Sequence, residues 1–559
     1  MPKRWREETR QADVLVVGGG IAACCAAIEA AKFGVKVLLA DKGRLGTSGS
    51  TPTSGGAVAL FRTGEGDDLE KFSEDTHSGG EEMGDPALVG ILCEEIGPGV
   101  GWLEHMGILF QRQADGNLHL QKSLGHRYPR SCVALGDGAG LMRGLRKEVL
   151  HRGVTVGEQL WITGLVVENG EISGAYGVDL AAGTPVHFAV KSVCLCAGSA
   201  TGLYPIASAN FLTTGDSFAM ALEAGAELAN MEFVEFTVVP APNGLPISMG
   251  GATPFPSRGG RLFNSLGERF MERYDPENRE RTRRNTLVRA IYCENEEGRG
   301  PVIMDASYIP QELRARFDAM HHMVKLRAAG VDPWKDRFEW VPSVHSLLGG
   351  MVIDREGQSN VPGLFAAGEA STGIHGANRL SGNALGEGIV FGFRAGRAAA
   401  RRAIERRGLK GTTPGAGSEK RSSAVEAQRA KIRQFIDKPA ADPRELKREI
   451  LRTAWSRLGV RREGHLLQEA SRLLEAVSDE LNRSGVPDLR GACELLELSN
   501  LSLVGRAVAA AALTRRETRG QHWRSDFEER QETWRKWIVL SKTQDGLATE
   551  LRGVGYLNL

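Results

Sequence analysis

Val14-Leu15-Val16-Val17-Gly18-Gly19-Gly20-Ile21-Ala22-Ala23 joins an unbroken aliphatic run to a glycine turn and then to a helix pattern of small residues. In the spacing Gly18-x-Gly20-x-x-Ala23, the first glycine permits a tight turn and the second lets a pyrophosphate approach the backbone. The small third residue lets helix and strand pack closely, with phosphate at the helix N-terminus. Residues 35–40 form a second aliphatic run ending at Asp41. That acid lies about 20 residues beyond the glycines, where a carboxylate accepts hydrogen bonds from ribose hydroxyls. A glycine fingerprint alone is weak. Strand, turn, helix, strand and acid in this order predict a dinucleotide-binding βαβ unit.

A second segment far along the chain carries the other half of the reading. His375-Gly376-Ala377-Asn378-Arg379-Leu380, followed by Ser381-Gly382-Asn383-Ala384-Leu385, places a histidine, a fixed cation and an amide-rich turn before a Gly/Ala-dotted helix. Arg379 in such a turn can hold an anionic substrate while the backbone packs against a flat ring. Residues 43–56 form a Gly/Ser/Thr loop able to wrap pyrophosphate and ring; Gly215-Asp216 opens a helix pattern, and Gly368-Glu369 ends a strand pattern. Each would be an ordinary turn or cap in isolation. Jointly they favour FAD over NAD, because they suit a ligand with a second, larger half. The expected cofactor contacts are Gly18, Gly19, Gly20, Ala22, Ala23, Asp41, Lys42, Ser50, Gly55, Gly56, Trp161, Asp216, Glu369, Arg379, Ser381, Asn383, Ala384 and Leu385.

Composition sets the frame around these motifs. The 559 residues include 41% hydrophobic side chains, enough for a sizeable core, and carry a formal net charge of +1. That balance favours neither nucleic acid nor an anionic membrane as partner. No apolar run reads as long enough to span a bilayer, and the Arg-rich N-terminus lacks the apolar stretch of a secretory signal, so a cytoplasmic location is expected. The 70 glycines sit at the ends of apolar runs, where the backbone turns or approaches a ligand. The cysteines, Cys24, Cys25, Cys93, Cys132, Cys194, Cys196, Cys293 and Cys493, lack the close repeated spacing of an iron–sulfur or zinc site. They read as buried reduced thiols, and no metal site is expected. His321-His322 and the Arg-rich stretch 279–289 read as solvated helix faces.

Patterning along the chain predicts an α/β fold: an FAD-binding Rossmann-like domain interrupted by an α+β capping domain and followed by a C-terminal helical domain. The expected boundaries are 10–237 and 344–408 for the two parts of the FAD domain and 238–343 for the cap. A Gly/Ser-rich linker at 409–422, a helical domain at 423–515 and a C-terminal segment at 516–559 follow. That last segment holds Trp523, Trp534 and Trp537 and is expected to fold back over the body.

Over nearly its whole length the sequence resembles the flavoprotein subunit family of fumarate reductase, succinate dehydrogenase and L-aspartate oxidase. The residues that carry the resemblance are the N-terminal fingerprint, Thr214-Gly215-Asp216, Met231-Glu232-Phe233-Val234 and Gly267-Glu268-Arg269-Phe270. They continue with His345 ahead of Gly349-Gly350, the 375–380 run, and Arg516-Glu517-Thr518-Arg519-Gly520-Gln521-His522. The resemblance implies hydride transfer between flavin N5 and a CH–CH or C=C carbon of a small carboxylic acid. It also implies three site residues: Arg284 as proton shuttle, Arg379 as carboxylate clamp and His345 as a substrate-binding histidine. Asn285 stands where the family usually has Asp, and His375 is expected to orient its loop.

Other departures alter the expected pocket. Thr237-Val238-Val239 replaces the family's His-Pro-Thr, removing one carboxylate-binding histidine, and the supporting Thr-Glu pair aligns with Ala252-Thr253. Pro256 aligns with a family Arg, with Arg258 close by as a substitute anion contact. Fumarate itself is therefore disfavoured relative to another saturated or α,β-unsaturated acid. The histidine that carries covalent FAD in some relatives aligns with Gly49, so the expected FAD is non-covalent. The alternatives are L-aspartate oxidase-like amino-acid oxidation, or a flavin-loaded electron-transfer subunit without its own substrate. As partner, the family also implies an iron–sulfur or other electron-transfer subunit, with peripheral membrane association through it.

Overall fold

Val14–Val17 is buried along its whole length, as an unbroken aliphatic run requires of a strand covered on both faces. The computed structural model describes residues 7–558 except 64–65, 124, 249–250, 252, 319–320, 408–421, 437, 440–441 and 545. The expected linker at 409–422 thus falls, apart from Ser422, outside the described residues. Val14–Val17 lies at the centre of a five-stranded parallel sheet ordered Leu364–Ala366, Ser192–Leu195, Val14–Val17, Val37–Asp41, Thr155–Glu158. Strands close in space come from both ends of the chain, because a long excursion separates Ser192–Leu195 from Leu364–Ala366.

Helix Ile21–Ala31 packs on helix Asn383–Arg407, and small residues on both sides set how closely. At Gly388 a Cβ would sit 2.8 Å from Ile21 Cγ2, at Gly392 2.8 Å from the Ala22 carbonyl, and at Gly396 2.2 Å from the Ala26 carbonyl. The spacing of four residues puts these glycines on one helical face. The dotted pattern after the 375–380 run is thus a groove for the fingerprint helix, and it draws the two distant motifs together.

The cap is built on a four-stranded antiparallel sheet ordered Val234–Pro240, Phe338–Leu347, Val302–Asp305, Arg261–Phe263, with helix Arg284–Glu296 against it. Its first two strands are the chain's way in and out. Their register shifts between Glu235 and Phe236: Glu235 faces Ser346 while Phe236 faces Val344, so His345 is the extra residue of a β-bulge. A bulge bends its strand and re-aims a side chain.

The helical domain comprises Ser423–Arg433, Pro443–Arg457, Gly464–Arg483 and Leu489–Thr514. Gly464–Arg483 buries Leu467, Ala470, Leu474, Val477 and Leu481, an apolar stripe at helical spacing. Leu489–Thr514 is long and apolar enough to cross a membrane, contrary to the reading that no run is. Its side chains are buried within the protein over most of its surface, which its composition serves equally well. Beyond it, Trp537–Thr543 and Gly546–Arg552 form a hairpin that pairs with Leu228–Ala229, so the C-terminal segment joins a sheet of the FAD-binding region. Seven cysteines are buried and Cys293 is half-buried.

Candidate functional site

A cavity of about 1050 Å³ runs from the glycine turn to the underside of the cap. It lies at the top of the roughly 300–1,000 Å³ range of small-molecule sites. Gly18, Gly19, Gly20, Ala22, Asp41, Lys42, Ser50, Gly55, Gly56, Trp161, Asp216, Glu369, Arg379, Ser381, Ala384 and Leu385 line it, as do Arg284 and His345. Two expected cofactor residues do not. Ala23 is wholly buried between strand and helix. Asn383 is buried too and donates to Thr76 Oγ1 at 3.3 Å. Both sit one layer behind the wall, because the helices they open turn them toward the interior.

At the sheet end the backbone is bare. Gly18 has a φ of +119°, and a Cβ there would lie 2.4 Å from the Cys196 carbonyl. Gly19 lies so close to Asp41 that a Cβ would be 1.9 Å from Oδ2. Helix Ile21–Ala31 starts without a side-chain cap, and Thr51 Oγ1 accepts from the Ile21 amide at 3.2 Å. Ser48 Oγ and the Gly43 amide donate to Asp41, whose carboxyl is nonetheless pushed up by burial. Ser50 Oγ is buried in the wall with no hydrogen-bond partner within the protein. Bare glycine backbone, a helix start whose N-cap glycine has no side chain, a ribose-ready acid and an orphaned hydroxyl fit a flavin dinucleotide, with Ser50 left a polar partner to find.

Lys42, Trp161 and Asp216 form a cluster at one side. Lys42 Nζ donates to Asp216 Oδ2 at 2.9 Å and Thr214 Oγ1 at 2.8 Å, pairs with Glu497, and lies 4.6 Å over the Trp161 ring. Trp161 Nε1 and Asn500 Nδ2 donate to the same carboxylate at 3.0 and 2.8 Å. The cavity wall is thereby bolted to helix Leu489–Thr514, a link that local spacing does not show.

At the other end of the cavity the lining side chains Arg284 and Arg379 converge on Glu235, which lies behind the wall and which the sequence reading passed over. Arg379 donates to Glu235 Oε2 from NH2 at 2.6 Å and from Nε at 3.2 Å, and Arg284 NH1 donates to Oε1. Glu235 is fully buried, and the Arg284 and Arg379 side chains are 10% and 6% exposed. Burial alone would raise the Glu235 carboxyl; Arg284 and Arg379, with His345, overcome it and hold the group at about 2. Burial lowers the Arg284 guanidinium from its usual value, against the pull of Glu235. His345 hydrogen-bonds Ser208 Oγ through Nδ1 at 2.7 Å. Burial, opposed by Glu235 but joined by Arg379 and Arg284, holds its imidazolium down at about 3, so the ring is neutral at pH 7. The bulge sits at this meeting: His345 is its extra residue and lines the cavity, while Glu235, at the register shift on the paired strand, lies behind the wall under Arg284 and Arg379.

Glu369 closes the wall, with Ser199 Oγ donating to it and burial pushing its carboxyl up. His375 Nε2 bonds Glu387 Oε2 at 2.8 Å and so ties its loop to helix Asn383–Arg407. The loop is braced from behind: the Gln521 amide donates to the Ala377 carbonyl at 2.8 Å and Gln521 Nε2 to Asn378 Oδ1 at 3.0 Å. Asn285 Nδ2 and Arg289 NH2 donate to the Gly520 carbonyl at 3.2 and 2.7 Å. Asn285 thereby links the cap helix to the C-terminal motif.

Two readings of the cap need correction. His322 is no solvated residue: it is buried, lines the cavity and contacts the Gly251 carbonyl at 3.2 Å. Within 279–289, Arg279, Arg281 and Arg283 are exposed, but Arg284 and Arg289 are half-buried, bonded to Glu235 and to the Gly520 carbonyl. Arg258 lines the cavity and donates to Gln121 Oε1 at 2.5 Å. Thr237 is buried and absent from the wall, its Oγ1 without a hydrogen-bond partner in the protein. Among the described residues, no group of three His, Cys, Asp or Glu side chains is placed to hold a metal.

This architecture recurs in known proteins. Residues 13–385 match the FAD binding domain family and residues 447–556 the fumarate reductase flavoprotein C-terminal family. The chain is 36% identical to one of the subunits of fumarate reductase (CoM/CoB) from Methanothermobacter marburgensis, over 96% of this chain and 98% of that one. It is 31% identical to the fumarate reductase flavoprotein subunit of Mycobacterium tuberculosis, over 98% and 97%. A substituted form of the E. coli quinol fumarate reductase FrdA superposes with a TM-score of 0.88 at 25% identity, covering 98% of this chain and 97% of that one. The chain belongs to the FAD-dependent fumarate reductase and succinate dehydrogenase flavoprotein family of oxidoreductases.

Proposed function

We propose that this chain catalyses redox exchange at a CH–CH or C=C bond of a small carboxylic acid, with a pocket altered from that of a dicarboxylate enzyme. The observation that carries the reading is the convergence of Arg284, Arg379 and His345 on one buried end of the FAD cavity. Bound FAD supplies the hydride chemistry. Arg379 offers a planar cation to the substrate carboxylate, whose polarisation favours negative charge developing next to it. His345, neutral and fixed by Ser208, presents a polar ring without adding charge. Arg284 gives or takes the proton at the neighbouring carbon. A guanidinium rarely releases its proton, and burial here makes that release easier than in water. Its Nε is buried without a partner.

FAD is held without a covalent bond in this reading. Gly49, in the cavity wall, has no side chain to form one, and a Cβ there would meet nothing within 4 Å. Electrons reach or leave the flavin through a separate iron–sulfur or other electron-transfer subunit. The archaeal and mycobacterial relatives support this reading, since each is named as one subunit of a larger enzyme.

The test is spectral and kinetic. Acid precipitation of the purified protein is expected to release all of its flavin as free FAD. Titration with small carboxylic acids is expected to perturb the oxidised flavin spectrum, and an artificial electron donor or acceptor to support turnover. Flavin remaining on the precipitated chain overturns the non-covalent reading. Peroxide release with L-aspartate, and no response to other acids, favours amino-acid oxidation instead.

A further inference from the structure

Two guanidinium groups and one carboxylate meet at the reacting end of the cavity. The carboxylate cannot leave. Glu235 lies in strand Val234–Pro240, opposite Ser346, and its side chain is 0% exposed. Nor can it be neutralised near pH 7, since Arg284 and Arg379 hold it ionised. Among these three groups one positive charge therefore remains for a ligand; Arg258, on the cap side of the same cavity, is directed to Gln121. His345 adds none, with its Nδ1 tied to Ser208 and its imidazolium disfavoured. Glu369, an acid that lines the cavity, is bonded to Ser199 and supplies no cation.

Geometry narrows the choice further. Arg379 spends its Nε and NH2 edge on Glu235 Oε2. That edge is one of the two with which a guanidinium grips a carboxylate in parallel, so an incoming acid has the remaining edge only. A singly charged acid brings the buried cluster to zero net charge. A dianion leaves it one charge negative among side chains that are at most 10% exposed, an uncompensated burial that proteins avoid.

We infer that Glu235 sets the substrate's charge: the site takes an acid with one negative charge, either a monocarboxylate or a dicarboxylate with its second carboxyl masked, and rejects the free dianion. This inference rests on the proposed CH–CH chemistry and names the substrate class for it. On the cap side the cavity is lined by Gly251, Thr253 and Pro254, which carry no charge, and by Arg258, which is directed to Gln121.

The experiment uses the FAD-loaded protein and reads dissociation constants from the oxidised flavin spectrum for fumarate, monomethyl fumarate and crotonate. The wild type is expected to bind crotonate or monomethyl fumarate at least tenfold more tightly than fumarate. Glu235→Gln is expected to strengthen fumarate binding at least tenfold and to cancel that preference. A wild type that prefers fumarate overturns the inference, and loss of that preference in Arg258→Gln would locate the second cation on the cap. An unchanged preference in a folded, flavin-loaded Glu235→Gln protein overturns it as well. If Glu235→Gln fails to fold, the wild-type ratio decides alone. Absence of any response to all three acids in flavin-loaded wild type defeats the CH–CH reading itself, an outcome distinct from a preference for the dianion.

Discussion

Glu232 and Glu235 stand three residues apart, each buried and each salt-bridged to arginine, yet they serve opposite ends. Glu232 Oε1 accepts from Arg515 Nε at 2.7 Å, and Arg515 also donates to Glu517 Oε1 and to the Trp534 and Lys536 carbonyls. Arg519 likewise divides its donors among Glu517 and the Glu81 and Gln531 carbonyls. In this knot every nitrogen of both guanidinium groups donates to a carboxylate or a main-chain oxygen. At Glu235 two guanidinium groups share one carboxylate, face a cavity, and leave Arg284 Nε unpartnered. Unspent donors beside open volume mark the place where a ligand is handled. Spent donors in a filled interior mark a joint between chain segments. Removing one partner of a buried pair costs the most where nothing replaces it, and a ligand can replace a partner only at the first site.

The comparison breaks most visibly at Arg284. Arg284→Ala is expected to retain FAD and fold while turnover falls by about 10²–10⁴, the usual size of a lost proton-transfer group. Steady-state assay of the flavin-loaded variant checks this, and near-wild-type turnover would place Arg284 with the joints. Arg515→Ala should act in the reverse sense. About 3–5 kcal/mol of stability is expected to be lost, since Glu232 is left buried without its cation while Glu517 keeps Arg519. Denaturant unfolding measures that loss, and the surviving folded fraction should keep the wild-type KM.

Gly520 lies between the two regions and sharpens the contrast. Its φ is +53°, and a Cβ there would sit 2.2 Å from the Ala377 carbonyl behind the substrate loop. Gly520→Ala is expected to cost about 1–3 kcal/mol and also to raise KM, because its carbonyl anchors Asn285 and Arg289 of the cap helix. A stability loss with KM unchanged would assign the motif to the joint alone.

The smallest effect is one of pH. His345 is held at about 3, below an unfolded value of about 6.5. Between those values the unfolded chain binds a proton that the folded one does not. Stability therefore rises with pH across this window and falls on acidification, by at most about 1.4 kcal/mol per pH unit for one group. Glu235, held at about 2, adds the same sign only below roughly pH 4.3. His522 in the knot is also held low, by burial and its arginine neighbours. His345→Gln should remove one part of the slope between pH 7 and 5, read from thermal unfolding, and His522→Gln another. An unaltered slope in His345→Gln would show that the ring is wet and titrates normally.

Local pattern revealed what depends on local pattern. The aliphatic run at Val14–Val17, the glycine turn and Asp41 are neighbours along the chain or follow at a fixed interval, so their spacing encodes their geometry. The Gly388, Gly392 and Gly396 ladder was visible as composition, but its partner, the fingerprint helix, was not, because nothing local states which groove a helix will fill. Glu235 escaped notice for a related reason. A glutamate in an apolar strand carries no motif, and its meaning lies in Arg284 from the cap helix and Arg379 from the loop. His322 and Arg289 were misread as solvated because charge runs are usually exposed, and only packing shows which members of a run turn inward.

Sequence by itself determined that this chain folds around a dinucleotide, holds FAD, and belongs with fumarate reductase-like flavoproteins, since repeated short spacings impose backbone conformation wherever they occur. The tertiary structure alone decided the charge of the reacting end. A β-bulge, a cap helix and a loop from separate stretches of the chain bring two cations, one anion and a neutral histidine into one buried cluster, and electrostatics depends on distance through space rather than along the chain.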